Sequence, residues 1–129
     1  GHSDIVGKPM GMMFLNRNAT VTICHKFTKD LASHTKQADI LVSAVGKKHL
    51  ITKDMVKPGA VLVDIGFSKE GKKIYGDIDF QALKGHASAI SPVPGGAGPM
   101  TVAVLIENTI NAYLWWQKHD FMCKNELTA

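Results

Sequence analysis

The sequence predicts an α/β chain built on a parallel sheet. Short apolar, β-branched runs alternate with helical stretches along the chain, the pattern of repeated βαβ units. Two of those runs, at 39–45 and 60–65, are apolar at nearly every position, as strands covered on both faces must be. The glycine-bearing turn at residues 1–7 has the look of a connection that leaves a first strand and opens a helix.

Each element follows from local residue chemistry. Residues 9–15 read as a helix with Pro9 in its first turn. Residues 20–24 (Thr20, Val21, Thr22, Ile23, Cys24) read as a strand, and 29–37 as a short polar helix. The strand at 39–45 comes next, then a helical turn at 52–56 with Thr52 as its N-cap, stopped by Lys57, Pro58 and Gly59. After the strand at 60–65, residues 67–76 break the alternation. Gly71 and Gly76 supply turn chemistry there, and a small edge hairpin and a plain surface loop are both open. A helix at 81–87, a short strand at 88–91 and a long helix at 99–117 complete the order. No strand precedes Gly1. A doubly wound sheet lacking its first strand would expose a central edge of unpaired backbone groups, so the chain reads as the downstream part of something larger.

Composition narrows the function classes. The 129 residues match the length of one domain, and 45% hydrophobic with 20% charged residues exclude a disordered chain. A domain of this size buries roughly two-thirds of its unfolded surface and needs no staple. Fifteen Lys and Arg against eleven Asp and Glu give a net charge of +4, which permits an anionic ligand without demanding one. The basic residues are scattered, so no nucleic-acid partner is expected. Cys24 and Cys123 make neither a redox pair nor a metal spacing, which fits reduced thiols in the cytoplasm. There is no transmembrane run and no signal peptide, so no membrane partner is expected. The missing initiator Met suggests a processed chain or a fragment.

Three segments carry candidate chemistry. Gly1, Ser3 and Gly7 could form a phosphate-binding turn at a helix N-terminus, where free N–H groups and the helix dipole favour anions; an ordinary loop start is the competing reading. Beyond the run at 20–24 stand Cys24, His25 and Lys26, with no acid before Asp30. An acidic residue in this region suits the ribose of NAD, whereas Lys26 would attract the extra phosphate of NADP; a solvated surface lysine is the alternative. Residues 91–101 hold three prolines and three glycines between Pro92 and Pro99, ending on a helix. Glycines here let a flat ring or carbonyl approach the backbone, and a proline makes a cis peptide worth checking. The six histidines form no ligand spacing and no metal site is expected. Asp64, at the end of an apolar run, could face a ligand crevice or cap the turn at Gly66.

Taken together, Gly1-His2-Ser3-Asp4-Ile5-Val6-Gly7-Lys8-Pro9-Met10, Ala19-Thr20-Val21-Thr22, Ala38-Asp39-Ile40-Leu41-Val42-Ser43-Ala44-Val45-Gly46, Val63-Asp64-Ile65-Gly66, Gly76-Asp77-Ile78-Asp79-Phe80 and Pro92-Val93-Pro94-Gly95-Gly96-Ala97-Gly98-Pro99-Met100-Thr101 resemble the bifunctional methylenetetrahydrofolate dehydrogenase/cyclohydrolases. The likeness covers nearly the whole chain, in order. It implies a Rossmann-type doubly wound parallel sheet lacking its first strand. Residues 1–129 would be the dinucleotide domain with a C-terminal helix, and the N-terminal folate-binding catalytic domain would be absent from this chain.

The resemblance also implies a site. Gly1, His2 and Ser3 would form the NADP phosphate loop, Lys26 would neighbour the 2′-phosphate, and Gly46 and Phe67 would lie along the cofactor. Pro94, Gly95, Gly96, Ala97 and Gly98 would line the cleft near the folate substrate. The family's catalytic Lys, its Tyr partner and a folate-orienting Asp belong to the first domain, so no catalytic residue is carried over. Departures from the family pattern are His2 for a common Arg, Phe67-Ser68 for Ile-Asn, Ala97 for Val, and a short turn at 68–75.

The implied activity of the parent is oxidation of 5,10-methylenetetrahydrofolate with NADP, NAD being possible, then hydrolysis of the methenyl product to 10-formyltetrahydrofolate. That places it in one-carbon metabolism and purine biosynthesis, as a homodimer in the cytoplasm. The chain alone would be inactive. The alternative is a non-catalytic nucleotide-binding or oligomerisation module of the same fold.

Overall fold

Three parallel strands carry the fold. In the computed structural model, which describes the backbone of residues 1–126 and side chains as far as Lys118, β1 (Ile40–Ser43), β2 (Val61–Asp64) and a third strand, Ala89–Ile90, lie in the order given. Ile40 stands opposite Val61 and Ser43 opposite Asp64, while Val61 and Leu62 pair with Ala89 and Ile90. Residues 67–76 resolve as a hairpin: β3 (Ser68–Glu70) runs antiparallel to β4 (Lys73–Tyr75), turning at Gly71 with φ 60°. Ala89–Ile90 is therefore β5.

The helices are α1 (Gly7–Leu15), α2 (Leu31–Thr35), α3 (Phe80–Leu83) and α4 (Ala97–Glu126), with a 3₁₀ turn at Lys53–Met55. Several differ from the sequence expectations, each for a local reason. The middle of the expected 29–37 helix survives because Asp30, left-handed at φ 47°, accepts the Ser33 N–H. Thr52 does not cap the backbone; its hydroxyl donates to Asp54 Oδ1 at 2.6 Å, and the turn stays 3₁₀. α3 starts one residue early on an Asp79 cap, and the chain turns left-handed at Gly85, φ 81°.

Residues 20–24 are the main correction: they join no ladder. A strand exists only as one half of a pairing, and among the described residues none lies beside this segment. It packs on α1 instead. A Cβ on Gly11 would fall 2.8 Å from Ile23 and 3.8 Å from Val21, so the helix approaches these side chains only through glycine.

The core is small. Leu62 of β2 packs with Ile51, Val56, Ala60, Ile78 and Leu83, flanked by Leu41 and Ile90 of the neighbouring strands. Residues 76–79 run beside 49–51, with Ile51 donating to the Asp77 carbonyl and Asp79 to that of Ile51, both at 3.0 Å. The chain divides into two units, Gly1–Ala97 and Gly98–Ala129. The second is the body of α4, whose large apolar side chains from Met100 to Trp116 are exposed. Among the described residues, no helix is long and apolar enough to cross a membrane.

Candidate functional site

The carboxyl ends of parallel strands are where open α/β sheets bind ligands. Here β1, β2 and β5 all end toward turns named from the sequence: β1 toward Gly46, β2 toward Phe67, β5 toward Pro94. The opening turn meets the first of them. A Cβ on Gly1 would lie 2.9 Å from the Ala44 carbonyl oxygen, just past the end of β1, and one on Gly7 would lie 2.1 Å from the Gly1 carbonyl oxygen. Any side chain at Gly7 would therefore force two backbone segments apart. Ser3 Oγ accepts the N–H groups of Val6 and Gly7 at 3.3 and 3.4 Å, closing the turn into α1. This glycine-built turn stands at the head of a nine-residue helix, and helix N-termini are where α/β folds receive phosphate.

His2 and Lys26 come to a second place. The His2 and His25 rings meet tilted at 58° with centroids 4.7 Å apart, His25 meets Phe27 edge-on at 6.0 Å, and Lys26 Nζ stands 4.9 Å from the Phe27 ring centroid. Phe27 is 74% exposed and was not singled out from the sequence. A lone aromatic after His25 and Lys26 carries no spacing signal; only the fold shows it beside the His25 ring and the Lys26 ammonium. Cys24, at the foot of this patch, is a free thiol whose pKa burial raises.

Gly46 and Phe67 face each other across two strand ends. Gly46 has φ 77°, and a Cβ there would lie 3.5 Å from the Phe67 carbonyl oxygen. Phe67 exposes its ring, 67% accessible. Lys48, just beyond, reaches the hairpin: its Nζ bonds Glu70 at 2.5 Å and lies 3.7 Å from the Tyr75 ring centroid. The Glu70 hydrogen bond is the main cause of its raised pKa.

Beneath these turns lie two buried carboxylates. Asp64, at the end of β2, accepts the N–H groups of Asp77 and Ile78 at 3.1 and 2.9 Å. Asp77, fully buried, accepts from Ser43 Oγ at 2.9 Å, Val45 N–H at 2.6 Å and Lys47 N–H at 2.8 Å. Each carboxylate lies flat over a glycine of the other's segment. A Cβ on Gly76 would fall 2.1 Å from Asp64, and one on Gly66 2.1 Å from Asp77. Of the two sequence readings for Asp64, a ligand-facing acid or a cap on the turn at Gly66, the structure shows a buried carboxylate whose bonding-distance N–H groups are those of 77 and 78, while the Gly66 N–H donates to the Ser43 carbonyl at 3.2 Å. Asp77 is not singled out by the sequence; the available signal is an acid that directly follows Gly76 and precedes Ile78.

The loop after β5 is equally constrained. The Val93–Pro94 peptide is cis, Gly95 has φ 101°, and a Cβ on Gly96 would lie 2.4 Å from the Pro92 carbonyl oxygen. Ser91 Oγ accepts the Asp64 N–H at 2.7 Å, which ties the loop's start to the end of β2. Ala97 begins α4, and Gly98 follows in its first turn with open space where a Cβ would stand.

Comparison with known proteins decides the family. The family model described as the tetrahydrofolate dehydrogenase/cyclohydrolase, NAD(P)-binding domain, matches residues 1–117. The chain belongs to this family. It is 61% identical over 112 residues to the bifunctional protein FolD of Nitratiruptor sp., covering 87% of this chain and 40% of that protein. It is 61% identical over 114 residues to that of Sulfurihydrogenibium sp., with 88% of this chain and 40% of the relative covered. Among solved structures, the bifunctional FolD enzyme of Campylobacter jejuni superimposes with a TM-score of 0.83 at 51% identity, covering 86% of this chain and 40% of that one. The Trypanosoma brucei FolD, solved in complex with NADP cofactor and inhibitor, matches with a TM-score of 0.79 at 37% identity, over 85% of this chain and 40% of that one. The chain thus spans about 40% of the length of these relatives, the part that is the family's NAD(P)-binding domain.

Proposed function

We propose that this chain is the dinucleotide-binding part of an enzyme that oxidises 5,10-methylenetetrahydrofolate with NADP and hydrolyses the methenyl product to 10-formyltetrahydrofolate. The observation that carries the reading is the convergence of the Gly1–Gly7 turn on the carbonyl end of β1, beside Gly46. A backbone without side chains at that point fits a pyrophosphate, which needs close N–H donors more than it needs cations.

In this reading Gly1, His2 and Ser3 hold the phosphates, and Lys26 with His25 and Phe27 faces the adenosine end. Gly46 and Phe67 bound the dinucleotide where the strands end. Pro94, Gly95, Gly96, Ala97 and Gly98 form the wall toward the folate. Bound NADP supplies the hydride acceptor; the protein orients it and excludes water. No group of this chain is assigned a proton transfer, and the catalytic side chains belong to the rest of the parent protein. The cytoplasm, a homodimer and a supply of formyl groups to purine biosynthesis complete the proposal.

The test separates part from whole. The full reading frame should reduce NADP with methylenetetrahydrofolate, while a sample shown by intact mass to hold only this chain should show neither oxidation nor hydrolysis. Turnover by the chain alone would overturn the division of labour. A parent enzyme that neither binds NADP nor oxidises the folate would overturn the reading itself and favour a non-catalytic module.

A further inference from the structure

The two walls assigned to the dinucleotide share one support. Asp77 has no exposed surface, and its carboxylate accepts three hydrogen bonds from the end of β1: from Ser43 Oγ and from the N–H groups of Val45 and Lys47. Those two N–H groups flank Gly46. Both point inward, so the turn has no choice but to carry Gly46 outward, at φ 77°. The same carboxylate lies where a Gly66 Cβ would be, within 2.3 Å by all three of its atoms, so it also sets the height at which the chain passes from β2 to Phe67. Asp77 is in turn held from behind: its own N–H is bound by Asp64 at 3.1 Å, and its carbonyl by Ile51 N–H at 3.0 Å.

We propose that Asp77 is a positioning residue for the dinucleotide: its carboxylate, clasping Ser43 and the amides of Val45 and Lys47 above Gly66, fixes the separation and facing of the Gly46 and Phe67 walls. The inference rests on the dinucleotide reading above and adds to it a residue that does not touch the cofactor. The chemistry is specific to a carboxylate. Val45 and Lys47 donate to opposite oxygens of Asp77, so both must be acceptors. An amide offers one acceptor oxygen and turns an NH₂ group toward the other donor. Asp77→Asn therefore keeps the shape and breaks one side of the turn, leaving a buried N–H facing a donor.

The experiment uses the full-length enzyme. NADP affinity is measured directly by titration calorimetry, and KM is measured separately for NADP and for methylenetetrahydrofolate. Asp77→Asn should weaken NADP binding about tenfold and raise the NADP KM alike, with the folate KM kept within twofold. A merely structural role would lower the active fraction and the melting temperature while leaving both KM values and the NADP affinity of the folded fraction unchanged, and that result overturns the proposal. If Asp77→Asn does not fold, Ser43→Ala decides, since it removes one donor and leaves both amides satisfied. A two- to threefold loss of NADP affinity with an unchanged folate KM supports the proposal, and unchanged NADP affinity overturns it. Wild-type enzyme that binds no NADP in the same titration defeats the dinucleotide reading, and with it this role, which distinguishes that failure from a failure of Asp77 alone.

Discussion

Lys26 is a single exposed cation beside an exposed ring, its Nζ 4.9 Å from the Phe27 centroid. An exposed ion pair is screened by solvent, so a preference for NADP over NAD that rests on Lys26 should stay within about tenfold. Lys26→Glu should move the preference toward NAD, read as the ratio of the two dissociation constants in the parent enzyme. An unchanged ratio would take Lys26 out of the site. Asp64 makes a different prediction, about pH. Burial is the largest influence on its carboxyl and raises its pKa, with the charge of Asp77 adding in the same direction; the N–H bonds from Ile78, Asp77 and Gly66 pull the other way and do not prevail. A native pKa above the unfolded one means that the folded protein holds the proton more tightly. The stability contributed by Asp64 is then fully present below the ordinary carboxylate value of about 3.9 and is lost as pH rises through the raised native value. Asp64→Asn removes the titration. In urea unfolding, the wild-type advantage over this variant should be largest at acid pH and shrink toward neutrality. An advantage that grows with pH would mean that the bound N–H groups hold the carboxylate below its ordinary range.

Elements were legible in proportion to how local their causes are. The apolar runs that became β1 and β2 declare themselves, because strands covered on both faces can hold little else. The long helix is legible from its periodicity, and for residues 68–75 the sequence leaves both a hairpin and a loop open, because a glycine turn alone does not say whether its flanks pair. Residues 20–24 show the limit. Thr20, Val21, Thr22 and Ile23 have the β-branched character of a strand, yet pairing is a property of the neighbour, and the sequence cannot place the neighbour. The site divides the same way. The glycines at 1, 7 and 46 and the loop at 92–98 stand out by composition. The Asp77 clasp does not, since a buried acid is recognisable only once its three donors, up to 34 positions away in the chain, are brought beside it. Asp64 was visible as a charge in an apolar run, but which amides it takes depended on residues 76–79 running beside 49–51.

At the scale of the whole molecule, α4 poses the remaining physical problem. Val102, Leu105, Ile106, Ile110, Tyr113 and Leu114 repeat at helical spacing as one stripe, and Val104, Trp115 and Trp116 lie outside it. Every one of these nine side chains is at least 43% exposed. Glu107, Asn108 and Asn111 leave only a narrow polar strip between them. A helix so apolar around its girth is ordinarily buried on more than one side, and contiguous apolar surface left in water marks an interface or an aggregation hazard. The chain spans about 40% of its relatives' length, and on the reading proposed above the remainder of the parent enzyme is the natural cover. The chain on its own should therefore self-associate, or be recovered with the remaining part still bound. Sedimentation of the purified chain at micromolar concentration tests this, read together with quenching of Trp115 and Trp116 by a soluble quencher. The expected result is a species heavier than the monomer, with quenching that falls as the species grows. A clean monomer whose tryptophans are already shielded would mean that the chain covers this helix by itself, and that the parent's remaining residues do not seat here.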